Sequence, residues 1–204
     1  MTTQGDVERG GRDPEVRERR VQRARDPEAR KRALADAVIE IISEVGIGRA
    51  THRAVAARAG LPLGATTYYF PTLDDLIAAG LAQATAAMTA DLRAWEARLG
   101  EAPDLAKELV ELVAEYLVDR RRVQIEYELY VAAARDVELR PFALAWLDGL
   151  NDLLVPRVGP EAAQNISALV DGAMIQSVVT GRSLDKPRLI AAITHLASPR
   201  QAAG

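Results

Sequence analysis

Between residues 27 and 196 the large apolar side chains return every three or four positions, and the pattern breaks only where glycine and proline gather. A period near 3.6 puts such residues on one side of a helix. A strand needs a period of two, and no stretch alternates long enough to make one. The chain therefore reads as all-α, with about nine helices. The first begins after Asp26-Pro27, a cap followed by a residue suited to the first helical position, and carries Leu34, Ala37, Val38, Ile41, Ile42 and Val45 on one face until Gly46 stops it. Thr51 caps a second, barely two turns long, which ends at Gly60, and a third short segment, LGATTYYF, closes at Pro71. Thr72 opens a long helix with Asp74 and Asp75 in its first turn, where the dipole favours negative charge. Its expected span is 73 to about 99, and further helices are expected over 104–119, 123 to about 135, 141 to about 155, 161–180 and 187–196.

Composition removes several functions. With no cysteine the chain has no disulfide, thiolate metal site or cysteine nucleophile. Its two histidines, His52 and His195, cannot form a His-rich site in one subunit, and neither follows a Glu by three residues as a di-iron bundle would require. No phosphate-cradling, dinucleotide or nucleophile-elbow pattern occurs, so no enzyme activity, metal or cofactor is expected. The expected location is the cytoplasm, because no apolar run approaches 18 residues and the first twenty lack an apolar core.

Charge is unevenly placed. Residues 1–70 carry net +3 and residues 71–204 net −6, and between Arg17 and Arg32 eight basic residues face three acidic ones. A basic end joined to an acidic remainder suggests a polyanion-facing part and a body with another task. The expected organisation is a disordered basic arm over 1–25, including Arg17, Arg19, Arg20, Arg23 and Arg25, then a DNA-binding domain over 26–71. A helical body follows over 72–197, with a short disordered tail expected over 198–204.

Two short helices separated by Gly60, Leu61 and Pro62, with the small Ala56 four residues before Gly60, have helix-turn-helix spacing. Tyr68, Tyr69 and Phe70 follow, three of the chain's nine aromatic residues. Adjacent helical positions point about 100° apart, so Phe70 is expected inside and at least one tyrosine hydroxyl near solvent, where it can donate to a phosphate.

The run ATHRAVAARAGLPLGATTYYFPTLDDL resembles the N-terminal domain of the TetR family of transcriptional regulators. The resemblance covers roughly residues 31–81 and rests on helix 1 ending in EVG, the Thr51 cap, the Ala-Val-Ala run, Gly60, Gly64, the cluster ending in Phe70, and Leu76. It implies a homodimer whose first three helices bind an operator half-site, while the divergent helical body over 72–197 is the ligand-binding and dimerisation domain and binds a small-molecule inducer. It also places Arg53 where a base can be reached. The expected base contacts are Arg53, Leu63, Ala65, Thr66 and Thr67, and the expected phosphate contacts are Thr51, Tyr68, Tyr69 and Thr72. Thr67 and Leu73 stand where the family commonly has a phosphate-binding tyrosine and lysine.

In the body, Gln124, Tyr127 and Tyr130 recur at three-residue spacing, one face with three hydrogen-bonding groups, and with Tyr116, Trp146 and Met174 they are the expected ligand pocket. Glu111 with Glu115, and Glu126 with Glu128, read as solvated faces or ion pairs. The segment 161–180 is apolar in too many directions for a surface helix in a monomer. Ile166, Leu169, Gly172, Ala173 and, from the last helix, Ile193 are the expected dimer interface. The expected partners are thus double-stranded operator DNA, a second copy and a small-molecule effector, with no membrane role. The rival reading is a helical ligand-binding or protein-interaction module without operator function; the Arg17 to Arg32 excess favours DNA, since each neutralised phosphate adds affinity.

Overall fold

The computed structural model describes residues 26–198. The arm over 1–25 and the tail beyond Ser198 lie outside the described residues. Nine α-helices and no strand are present among the described residues: α1 (Pro27–Val45), α2 (His52–Ala59), α3 (Leu63–Tyr69), α4 (Leu73–Glu101), α5 (Leu105–Tyr116), α6 (Arg120–Ala133), α7 (Arg140–Val158), α8 (Pro160–Thr180) and α9 (Lys186–Ala197). No described helix is long and apolar enough to cross a membrane.

The helix ends follow the local chemistry. Asp26, Thr51, Thr72, Asp104, Asp119 and Asp185 each accept a hydrogen bond from a first-turn amide of the helix they precede, satisfying donors that have no partner within the helix. Gly60 closes α2 at φ 67°, ψ 31°, a left-handed conformation that disfavours any side chain.

Two apolar clusters form the interior. The first joins Leu34, Val38 and Ile42 of α1 and Val55 of α2 to Leu76 and Leu81 of α4, and continues into Ile125 and Leu129 of α6 and Trp146 of α7. The second lies at the other end of α4 and packs Leu99 with Leu109, Leu112 and Val113 of α5, Leu154 of α7, Ile166 and Val170 of α8, and Ile193 of α9. The head therefore has no sealed core of its own: α6 contributes side chains both to it and to the middle of the body. Gly80 is where α4 lies closest to α1, and a Cβ there would sit 2.5 Å from Val38 Cγ1 and 3.1 Å from the Ala35 carbonyl oxygen.

Two of the expected interface residues belong elsewhere. Ile166 and Ile193 are fully buried within one protomer, packed on α5 and α7, and cannot meet a second copy. Leu169, Gly172 and Ala173 are half-buried, Leu169 and Ala173 at the edge of the second cluster, and remain partly accessible. Glu111 and Glu115 do form ion pairs, with Lys186 and Arg98 respectively.

Candidate nucleic-acid interface and ligand cavity

In the head, α2 and α3 cross at a tight corner closed by the Leu61 amide donating to the Ala56 carbonyl at 3.0 Å, and the buried Val55 and Ala56 let the two helices approach. The Thr51 side-chain oxygen accepts from the Ala54 amide, which leaves its hydroxyl hydrogen available. Arg53 is exposed and makes no ion pair among the described residues, whereas Arg58 is held by Glu40 and Glu44 at 3.0 and 2.6 Å. From α3, Leu63 is 46% and Tyr68 79% exposed, Thr67 is exposed and Ala65 half-buried. Tyr69 and Phe70 are half-buried against the first cluster, with the Tyr69 ring edge-on to Tyr68 at 5.0 Å. An outward Tyr68 over an inward Phe70 is what the 100° step between neighbours requires.

Two expected DNA contacts are corrected. Thr66 is 0% exposed and its hydroxyl donates to the Leu63 carbonyl at 2.7 Å, so it packs the head instead of reading a base. Thr72 and Asp75 form a capping box: the Thr72 amide donates to Asp75 Oδ2 at 3.1 Å and the Thr72 side-chain oxygen accepts from the Asp75 amide at 3.0 Å, while the Thr72 hydroxyl donates to the same Oδ2 at 2.7 Å. The Thr72 hydroxyl is thus committed within the protein, beside a carboxylate that repels phosphate. The Thr72 hydrogen bonds also hold the Asp75 carboxyl below its ordinary range.

In the body, a cavity of about 50 Å3, opening into a cleft whose empty space including open solvent is about 540 Å3, is lined by Met88, Asp91, Leu92 and Trp95 of α4, Tyr116 of α5, Glu126 of α6, Trp146, Leu147 and Leu150 of α7, and Ser167, Val170, Asp171 and Met174 of α8. Tyr116, Trp146 and Met174, three of the residues expected in a ligand pocket, line this cavity. Tyr127 and Tyr130 stand behind the wall, holding it: Tyr127 donates to the Asp171 carbonyl at 2.9 Å, and Tyr130 to Glu126 Oε1 at 2.8 Å. Gln124 is exposed and outside the cavity. The Ser167 hydroxyl, nearly inaccessible, has no hydrogen-bond partner, a polar group left for whatever fills the space.

Sequence reading missed Glu126. It is only 7% exposed, accepts from Tyr130 on one oxygen and from Tyr116 at 3.0 Å on the other, and faces the cavity. Burial pushes its carboxyl up to about 7, helped by the nearby Asp171 and opposed by the tyrosine hydrogen bonds and Arg122. Burial raises Asp171 to about 6. The signal was present: Glu126 is three residues from both Val123 and Leu129, on the stripe of α6 that packs inward. Among the described residues no group of three His, Cys, Asp or Glu side chains is placed to hold a metal ion.

A compact helix-turn-helix head continuous with a helical body that encloses a cavity defines a regulator-type architecture. Comparison with known proteins narrows it. Residues 100–199 match the tetracyclin repressor-like C-terminal domain. A solved TetR-family member from Streptomyces coelicolor A3 is 39% identical, with 83% of this chain and 99% of that one covered at a TM-score of 0.75. The multidrug binding protein EbrR, solved with imidazole, is 38% identical, with 86% and 98% covered at a TM-score of 0.73. The HTH-type transcriptional regulator BetI of Escherichia coli is 26% identical over 78% of this chain and 87% of its own length. The chain belongs to the TetR family of transcriptional regulators.

Proposed function

We propose that this protein is a homodimeric repressor that binds a pseudo-palindromic operator through α2 and α3 and is released by an aromatic organic cation bound in the body. The observation that carries the ligand class is Glu126, a buried acid with Trp95, Tyr116 and Trp146 lining the same cavity. An organic cation gains there from a carboxylate out of water and from aromatic faces. EbrR has been solved with proflavin, ethidium and malachite green, all aromatic cationic dyes, which supports carrying the class across.

Arg53, Leu63, Ala65 and Thr67 form the proposed base-reading set, with Thr51, Tyr68 and Tyr69 on phosphates. A guanidinium forks onto guanine, and a threonine methyl or alanine packs on a thymine methyl. Arg53→Ala is expected to weaken binding to a selected operator by about 1–3 kcal/mol and relax preference at one base pair. Tyr68→Phe is expected to weaken all sequences alike. Fluorescence anisotropy on sites selected from random duplexes measures both, and an unchanged profile for Arg53→Ala removes it from the readout.

The proposed dimer face is the accessible side of α8, with Leu169, Gly172 and Ala173, flanked by α9. A Cβ on Gly172 meets nothing within 4 Å, so the protomer has room for a side chain there. Gly172→Glu is expected to keep the helical fold and convert a dimer mass to a monomer mass in light scattering. A dimer that persists in this variant places the interface elsewhere.

Release follows from the path of α6. Glu126 faces the cavity, Ile125 and Leu129 pack in the head cluster, and the Glu128 carboxylate lies 3.1 Å from where a Cβ on Gly46, the end of α1, would stand. A ligand that shifts α6 changes the seat of the head, and the coupling equals its preference for the shifted state. The test is operator binding titrated with tetraphenylphosphonium, a cation that does not intercalate. The proposal expects release; unchanged operator affinity at saturating cation supports a binding module without operator control.

A further inference from the structure

Arg120, Arg121 and Arg122 open α6, and of the three only Arg122 turns inward. Its guanidinium carbon lies 5.0 Å from the centre of the Tyr116 ring, and its Nη2 is ion-paired with Asp91. Both partners line the cavity. The Tyr116 ring is edge-on to Trp95 at 6.0 Å, and its hydroxyl donates to Glu126. The protein therefore already keeps one delocalised cation on an aromatic ring, against one carboxylate, at the edge of the space where a ligand cation is proposed to bind.

We infer that Arg122 is the charge-selectivity residue of this cavity: as the built-in counter-ion of Asp91 it restricts the site to monocations, and its removal opens the site to dications. The inference rests on the cation-binding reading above. With Arg122 in place, Asp91 offers a ligand no net charge, and attraction falls to Glu126 and its neighbour Asp171. Without Arg122, Asp91 becomes a second, separate anionic wall on α4, across the cavity from α8. A dication then finds a partner for each charge, whereas a monocation gains less.

The test compares ethidium with propidium, which carries the same ring system and a second positive charge, by fluorescence titration of the full chain without DNA. Wild type is expected to prefer ethidium. Arg122→Gln is expected to move the ratio of affinities toward propidium by roughly tenfold or more, the scale of one exposed opposite charge beside a ligand. Arg122→Lys keeps the charge and is expected to stay near the wild-type ratio. The double variant Asp91→Asn with Arg122→Gln is expected to restore the wild-type preference, because the unmasked carboxylate is gone. If Arg122→Gln binds ethidium with an unchanged ratio, Arg122 does not set selectivity and the cation reading survives. If wild type binds neither dye, the cation reading itself falls. Should Arg122→Gln fail to fold by circular dichroism, Asp91→Asn alone decides: it leaves Arg122 uncompensated and is expected to disfavour propidium more than ethidium, and an equal effect on both overturns the inference.

Discussion

Glu126→Gln is expected to make the protein more stable and a poorer ligand binder at the same time, by an amount that grows as pH rises from 4.5 and levels off above 7. The carboxyl has an ordinary value of 4.5 and is raised to about 7 in the folded chain. Between those values the native state keeps a proton that the unfolded chain has released, so this group's contribution is fully favourable below 4.5 and is lost as pH rises through 7. The loss is on the order of 3 kcal/mol. Asp171 acts in the same direction at lower pH, with its value raised by burial to about 6 from 3.8. An amide of the same shape can accept from one of the two tyrosines through its oxygen and donate to the hydroxyl oxygen of the other through its NH2, and never has to become charged. Urea unfolding is therefore expected to give Glu126→Gln an advantage of roughly 2–3 kcal/mol at pH 8 and close to none at pH 4. Ethidium affinity at pH 8 is expected to drop about tenfold or more, since a desolvated cation loses its counter-charge. A variant less stable than wild type at pH 8 contradicts the account, because it means the carboxylate is held charged by its surroundings.

The second large effect concerns the seam between head and body. At Gly80 a Cβ would lie 2.5 Å from Val38 Cγ1, 3.0 Å from Ile39 Cγ1 and 3.1 Å from the Ala35 carbonyl oxygen. The Val38 methyl and the Ile39 methylene can shift with their side chains, but the carbonyl is fixed in the hydrogen-bond ladder of α1. Gly80→Val, with three added carbons, must push α4 off α1. Overpacking of this kind costs up to about 3 kcal/mol, and a fall in Tm of roughly 6–12 °C follows for a chain of this size. The functional loss is expected to exceed the loss of stability. The displaced head no longer holds its angle to the body, so operator binding disappears at temperatures where circular dichroism still reports a folded protein. Gly80→Ala is expected to be milder, since helix propensity returns up to about 1 kcal/mol. Wild-type operator affinity in Gly80→Val would show that the head takes its orientation from elsewhere.

The sequence was sufficient wherever the cause lies within a turn or two of the chain. The caps at Asp26, Thr51 and Thr72, the stops at Gly46 and Gly60, the helix-turn-helix corner and the outward Tyr68 all follow from backbone conformation and the 100° step, and each appears in the structure. What remained hidden was which of two plausible faces turns inward. Gln124 and Glu126 are two residues apart and so about 200° apart around α6. Polarity alone pointed to the amide as the pocket group, yet α5 and α8 close over the acid. Ile166 and Ile193 look like interface residues along the chain and prove to be core, because α5 and α7 already cover them. Thr66 is polar by type and buried by place, its hydroxyl turned back to its own helix. Local rules set where each helix begins, ends and carries its apolar stripe, because they act between residues a few positions apart. Burial, and with it the raised carboxyls of Glu126 and Asp171, is decided by helices distant in sequence, because desolvation depends on everything that surrounds a group in space.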